Sequence, residues 1–242
     1  MPFGTVVRDV YAGDERKAMY DALEMLTRGN EWSRAGVYCF WNPSTRQALY
    51  IGVTSNLPSR FGQHNTLKGT KPGKGNKGRE VNEWFENHQR LGFSVVLQEA
   101  IADEEYEPYA RNAEGQLLEG FLQYHHKLPP WNSMGGSRQG ASFVRRNSVW
   151  WVEAMTGSKD SPVVARRTIR ELSDDASAEY FENCVHMART AVAGMGGTND
   201  EMLQAAIDRA IDWRAGPPLF DSDIVPRLRA YFAQPAPHPE DA

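Results

Sequence analysis

Two short tyrosine-containing triplets, separated by eleven residues, constrain the fold of this chain more than any other feature. They are Gly-Val-Tyr at 36–38 and Tyr-Ile-Gly at 50–52. Each lies in an apolar run, 35–41 and 48–53, rich in the β-branched and aromatic residues that favour a pleated strand. Asn, Pro, Ser and Thr at 42–45 form a turn cluster between the runs. The pattern predicts a β-hairpin.

Alternation along the first strand divides its side chains between two faces. Tyr38 and Phe40 are expected on one face, and Val37, Cys39 and Trp41 on the other, because successive strand side chains point in opposite directions. On the second strand, the lack of a side chain at Gly52 would let a ligand backbone approach closely.

One strand and several helices are predicted around the hairpin. A helix precedes it, a short helix and a longer one follow it, and a strand and a final helix come next, the last beginning after a break at Pro108. The predicted elements are a helix at 14–28, a helix at 55–64, a helix carrying Val81, Trp84, Phe85 and His88, a strand at 93–100 and a helix at 110–127.

The chain beyond Gly140 is predicted to be helical. Phe181, Ala188 and Val192 recur at helical spacing, and Thr198 with Glu201 forms a capping box that opens another helix. From residue 141 onward there are 11 basic and 15 acidic residues. Such an acidic helical region is expected to pack against its neighbour, or to bind a protein partner or a second copy, rather than to contact DNA.

Composition bounds the class of protein. The chain has 242 residues, enough for one large or two small domains, and 40% apolar with 24% charged residues is ordinary for a globular protein. No apolar run is long enough for a membrane span, and no secretory signal is expected at the N-terminus. Cys39 and Cys184 form neither a disulfide framework nor a zinc pattern, so a cytoplasmic location is predicted.

A basic segment follows the hairpin although the net charge is −4. Between residues 60 and 79 there are six basic residues and no acidic one. A local basic stripe of this kind is the electrostatic mark of nucleic-acid binding. The glycines of the segment equally suit a solvated flexible loop, and the sequence leaves both interpretations open. The basic residues are Arg60, Lys68, Lys71, Lys74, Lys77 and Arg79.

The two triplets, followed directly by Arg60 and His64, resemble the GIY-YIG endonucleases, with Val37 in place of the usual Ile. The resemblance extends over about 34–132 and implies an α/β (α+β) fold, with a small three-stranded antiparallel sheet flanked by helices. It divides the chain into an N-terminal helical segment (1–33), a nuclease domain (34–140) and a helical C-terminal extension (141–242).

The resemblance also implies functional roles. Tyr38 would activate water, and Tyr50 would bond the phosphate or Tyr38. Arg60 would hold the scissile phosphate with its planar fork. His64, four residues later on the same helix face, would orient water or take a proton near neutral pH. The pKa of a free tyrosine is about 10, so Tyr38 needs a nearby cation, or onward proton transfer through His64, to act as a base.

A helical glutamate and a downstream asparagine would complete the site. Glu119, thirteen residues before Asn132, is the first choice as ligand of a magnesium or manganese ion, and Glu114 is the rival. A hard divalent cation prefers such oxygen ligands and supplies charge neutralisation for phosphodiester hydrolysis. Asn132 is expected to organise the site through its amide, or simply to cap a turn.

The leading hypothesis is a metal-dependent endonuclease that hydrolyses DNA, in a restriction, phage or mobile-element setting. Two alternatives stay open. One is a catalytically weak nucleic-acid-binding protein that retains the fold, which would be expected to lack the polar residues named above. The other is a nuclease toxin whose acidic extension binds a protein partner.

Overall fold

A four-stranded antiparallel sheet forms the centre of the molecule. The computed structural model describes residues 4–28, 32–67, 75–98, 103–144, 148–159, 161–193, 200–214 and 224–237. The strand order in the sheet is β1-β4-β2-β3, which makes β3 an edge strand. An antiparallel sheet is confirmed, but it has four strands and not three. The strands are β1 (Thr5–Ala12), β2 (Gly36–Trp41), β3 (Ala48–Thr54) and β4 (Arg90–Leu97).

Helices surround the sheet. From β2 onward the elements follow one another in the predicted order of strand, strand, helix, helix, strand and helix. The last of these helices starts earlier than expected, at Asp103, and includes Pro108 instead of beginning after it. The helices are α1 (Arg16–Leu26), α2 (Leu57–His64), α3 (Gly78–Asn87), α4 (Asp103–His125), α5 (Arg138–Ala141), α6 (Ser148–Thr156), α7 (Ile169–Asp174), α8 (Ala176–Ala193), α9 (Asp200–Arg214) and α10 (Ile224–Phe232).

The predicted hairpin is confirmed, and so is the division of its side chains between two faces. Strands β2 and β3 pair antiparallel, with Tyr38 opposite Gly52. Tyr38 and Phe40 belong to the core cluster that also contains buried side chains of α1 and α2. Val37 and Trp41 belong to the cluster on the other face, with side chains of α4 and α6. Both faces of the sheet are therefore covered by helices.

Strand β1 is absent from the prediction, which assigned the first 33 residues to a helical segment. It pairs antiparallel with β4 along its whole length, from Thr5 opposite Leu97 to Ala12 opposite Arg90. Its middle carries a buried carboxylate, Asp9, which accepts hydrogen bonds from the Arg170 guanidinium at 2.8 and 3.2 Å. A charged pair of this kind interrupts the apolar pattern by which a strand is recognised.

The C-terminal region packs directly on β1. The Val6 amide donates to the Val163 carbonyl, and the Ala165 amide donates to the Val6 carbonyl, both at 2.8 Å. Thr168 then opens α7 with a capping box. Buried side chains of α7, α8, α9 and α10 join the same core cluster as Tyr38. The C-terminal helices and the strands of the sheet therefore share one core.

Two expectations about the C-terminal region remain. Thr198 lies outside the described residues, although α9 begins close to it, at Asp200. A protein partner for this region stays a prediction.

No helix within the described ranges combines the length and the apolar character that a membrane span needs.

Candidate active site

The two signature tyrosines lie together over the backbone of Gly52. Their ring centroids are 5.9 Å apart. A methyl group added at Gly52 would lie 2.7 Å from Tyr38 Oη and 2.6 Å from Tyr50 Cε1, closer than non-bonded atoms approach. Gly52 was expected to admit a ligand backbone; the structure shows that the space beside it is filled by the tyrosines. The glycine thus makes room for the tyrosine pair.

Helix α2 brings Arg60 and His64 to the tyrosines. Asn56 caps the helix by accepting a hydrogen bond from the Ser59 amide at 2.9 Å. Apolar residues of the helix are buried in the core, so the side chains of one face are held against the sheet. His64 Nε2 lies 2.7 Å from Tyr38 Oη. Arg60 donates to Gln63 Oε1 at 3.0 Å, one helical turn along.

His64 is a neutral hydrogen-bond donor. The pKa of its imidazole is lowered to about 3, chiefly by burial and then by the charges of Arg60 and Lys77, while a hydrogen bond with Asn76 opposes the shift. The main-chain amide of Lys77 donates to His64 Nδ1 at 2.8 Å. Because Nδ1 accepts, the single proton of the neutral ring lies on Nε2, which donates to Tyr38 Oη. His64 was expected to take a proton near neutral pH; its buried, donating state does not favour this.

The pKa values of both tyrosines are raised. Burial raises that of Tyr38 well above its usual value of 10.0, and Tyr50 and Glu114 add to the effect while Arg60 opposes it. Burial also raises the pKa of Tyr50. The expected cation, Arg60, is present and acts in the expected direction, but burial outweighs it. Tyr38 is therefore a protonated phenol in this state of the protein.

Glu114 is the carboxylate of α4 whose charge acts on both tyrosines, and Glu80 of α3 also acts on Tyr50. Burial raises the pKa of Glu114 to about 7, with Arg111 opposing the effect. Its charge in turn raises the pKa values of Tyr38 and Tyr50, which places the carboxylate within electrostatic reach of both. The Glu114 Oε2 atom lies beside Gly136, where an added methyl group would be 2.9 Å away.

Glu119 lies on another side of the same helix. Five residues of α-helix turn through about 500°, so Glu119 and Glu114 point about 140° apart. The Glu119 carboxylate accepts a hydrogen bond from Gln123, an exposed neighbour one turn later, at 2.9 Å. The structure therefore does not bring Glu119 to the tyrosines, contrary to the first choice made from the sequence.

Asn132 bonds the edge strand β3 at Ile51, the middle residue of the second triplet. Its side-chain amide donates to the Ile51 carbonyl at 2.8 Å, and its oxygen accepts from the Ile51 amide at 2.9 Å. The Trp131 amide donates to the Leu49 carbonyl at 2.8 Å. The segment after α4 thus completes the hydrogen bonding of the edge strand. The Asn132 amide thus fixes the backbone of Ile51, in the middle of the second triplet, and its role in a reaction stays a prediction.

The basic segment is only partly described. Lys68, Lys71 and Lys74 lie outside the described residues, and their contact with phosphates stays a prediction. Arg79 is 80% exposed in its side chain and lies 3.7 Å from Glu83, an arrangement open to solvent. The Lys77 side chain is only 12% exposed. The sequence grouped these two residues together, but their surroundings differ.

Comparison with known proteins agrees with this geometry. Residues 34–115 match the family model of the GIY-YIG catalytic domain. A UPF0213 protein from Vibrio campbellii is 47% identical over 64 residues, which are 25% of this chain and 56% of that protein. The chain thus covers little more than half of that relative. No solved structure matches the chain. Residues 34–115 therefore form a domain of the GIY-YIG type, a family of nucleases, and the resemblance carried by the tyrosine triplets is confirmed.

Proposed function

We propose that this protein is a divalent-metal-dependent endonuclease that hydrolyses DNA phosphodiester bonds beside the Tyr38–Tyr50 pair. The observation that carries the proposal is the convergence of polar side chains from four separate elements. Tyr38 comes from β2, Tyr50 from β3, Arg60 from α2 and Glu114 from α4. Electrostatic coupling joins Tyr38 to each of the other three. A fold alone does not require such a grouping at one place.

Glu114 fits the role of metal ligand. Its carboxylate is partly buried, and the raised pKa means that its ionised form lacks sufficient compensation from nearby positive charge. A magnesium ion, which is held in many sites by one or two carboxylates and several waters, would supply that compensation. When bound, such an ion supplies charge neutralisation at phosphorus and at the leaving oxygen. The chain's own residues then provide the remaining functions.

Arg60 is suited to holding the scissile phosphate. The guanidinium presents a planar fork that matches two phosphate oxygens, and its bond to Gln63 limits its orientation before substrate arrives. Its positive charge opposes the rise that burial causes in the pKa values of Tyr38 and Tyr50. Negative charge that develops on the phosphate is therefore stabilised by a donor that needs little reorganisation.

The Tyr38 hydroxyl is suited to orienting the attacking water. Its oxygen receives the His64 Nε2 proton in a hydrogen bond of 2.7 Å, and its own proton is shared with the Tyr50 hydroxyl, which leaves one lone pair to accept a hydrogen bond from water. The phenol stays protonated, because burial raises the pKa of Tyr38 well above its usual value and His64 already carries the Nε2 proton. Tyr38 therefore positions the water, while His64 remains a donor throughout.

Supercoiled plasmid incubated with the purified chain tests the proposal. Nicked and linear products should form with magnesium and should be absent with EDTA. Tyr38→Phe, which keeps the ring and removes the hydroxyl, should lower the rate by about a hundredfold or more. Single-stranded DNA in a parallel reaction identifies the strand requirement. Cleavage of equal rate by wild type and Tyr38→Phe would contradict the proposed site, and no cleavage of either DNA would contradict the proposed activity.

A further inference from the structure

Lys77 ends the basic segment but does not resemble a surface lysine. Its ammonium Nζ lies 5.3 Å from the centroid of the Tyr50 ring, within the range of a cation–π contact. The same atom lies 3.3 Å from Glu80 Oε1, one turn into α3. Its side chain is largely buried, whereas Arg79, two residues later, extends into solvent. The Lys77 ammonium therefore contacts the Tyr50 ring and not only solvent.

The backbone of Lys77 contacts the same cluster from a second direction. Its amide is the donor to His64 Nδ1. That bond selects the ring form in which the proton is on Nε2, the atom that faces Tyr38. One residue thus contacts His64 through its main chain and Tyr50 through its side chain.

The groups around His64 explain why a fixed cation beside it has an effect. Arg60 faces the ring from α2 and Lys77 from the start of α3, while Tyr38 and Tyr50 face it from the sheet, with ring centroids 5.6 and 5.7 Å away. Both cations oppose protonation of the imidazole. Within the described residues, the side chains that shift the pKa of His64 are Arg60, Lys77 and Asn76, none of which is a carboxylate.

We infer that Lys77 is a positioning residue of the nuclease site, which holds His64 as an Nε2–H donor to Tyr38 and holds the Tyr50 ring, and is not a phosphate contact of the basic segment. The inference rests on the proposed function for its catalytic consequence. Its structural content, the state of the His64 ring, is independent of catalysis. With His64 fixed as a donor, Tyr38 keeps one orientation of its hydroxyl, and proton transfer from Tyr38 to His64 is excluded.

Three variants distinguish a positioning role of Lys77 from a phosphate contact. Lys77→Met keeps the length of the stem and removes the charge, Lys77→Arg keeps the charge, and Arg79→Met is the matched control on the exposed side chain. At saturating DNA, Lys77→Met should lower the cleavage rate by about tenfold or more, with KM little changed, and Lys77→Arg should recover much of the loss. Arg79→Met should leave the rate at saturating DNA unchanged, because any phosphate contact of this exposed side chain would alter DNA affinity only. A Lys77→Met protein that binds DNA more weakly yet cleaves normally at saturation would overturn the inference.

The state of His64 gives a readout that does not need catalysis. Nitrogen-15 spectra of histidine-labelled wild type, with His64 assigned by its loss in His64→Gln, should show a neutral ring protonated at Nε2 near pH 7. In Lys77→Met the ring should titrate at a higher pH, since one of the two opposing cations is gone; in Arg79→Met it should not change. A ring protonated at Nδ1, or one insensitive to Lys77→Met, would overturn the inference. If wild type does not nick DNA but His64 is neutral and protonated at Nε2, the proposed function fails while the positioning of His64 stands.

Discussion

The Nε2 atom of His64 lies 2.7 Å from Tyr38 Oη, and the proton between them is carried by the histidine. The direction of this bond separates two mechanisms. A histidine that accepts would draw the proton from Tyr38 and make the tyrosine a base through a relay. A histidine that donates orients the tyrosine hydroxyl, which then stays protonated. Because the Lys77 amide donates to Nδ1, the proposed reaction follows the second of these mechanisms.

The pH dependence of stability tests the buried, neutral state of His64. Its pKa is about 3 in the folded protein against an ordinary value of 6.5. The unfolded chain therefore binds a proton that the folded chain excludes as pH falls through 6.5, and this contribution to stability is lost progressively down to about pH 3. The stability difference between wild type and His64→Gln should be larger at pH 7.5 than at pH 5, as measured by urea denaturation. A stability difference independent of pH would contradict the buried, neutral state of His64. The other histidines do not affect the comparison, because they are common to both proteins.

Replacing Gly52 with alanine should lower activity far more than stability. The added methyl group would force Tyr38 and Tyr50 apart, since it would lie under 3.0 Å from atoms of both. The cleavage rate should fall by at least about tenfold, because catalysis depends on sub-ångström placement of such groups. Gly13→Ala is the control: its methyl group would lie 3.6 Å from the Phe85 ring, an ordinary contact. Equal activity of the two variants would show that the tyrosine pair is not the reacting centre.

Arg60→Lys tests the planar fork. Lysine retains the charge but offers one point of contact, so the cleavage rate should fall by about a hundredfold while DNA affinity falls much less. Single-turnover rates at saturating DNA, together with binding measured in EDTA, separate the two effects. A variant that binds poorly but turns over normally at saturation would move Arg60 from catalysis to substrate positioning.

The lysines at 68, 71 and 74 are predicted to contact phosphates, and salt dependence tests this. Changing all three to alanine should weaken DNA binding and reduce the slope of log K against log salt by about 0.9 for each true contact on duplex DNA. The rate at saturating DNA should largely survive. An unchanged slope would identify the segment as a solvated connection between α2 and α3.

The hairpin was predictable because its information is local. Strand propensity, the turn cluster and alternation all lie within 35–53, and pairing of β2 with β3 needs no distant residue. Strand β1 was not predictable in this way. The buried Asp9 becomes acceptable only through Arg170, which is 161 residues away in sequence, and a buried charge needs such a partner to avoid a large desolvation cost.

The sequence analysis preferred Glu119 to Glu114 because of where it placed the start of the helix. A start after Pro108 puts Glu114 near the terminus and makes Glu119 the central residue. In the structure α4 begins at Asp103, so Glu114 stands well inside the helix. Because Pro disfavours a helix interior, the residue pattern alone predicts the later start. The choice between the two glutamates as metal ligand stays a prediction.

Metal-dependent cleavage is predicted to depend on the carboxylate of Glu114. Magnesium-dependent plasmid cleavage by Glu114→Gln and Glu119→Gln, two variants of the same helix in which one carboxylate becomes an amide, tests this dependence. Glu114→Gln is expected to lose at least about a hundredfold in rate at saturating magnesium and DNA, and Glu119→Gln is expected to cleave as wild type does. Loss of cleavage in Glu119→Gln with retention in Glu114→Gln would contradict it.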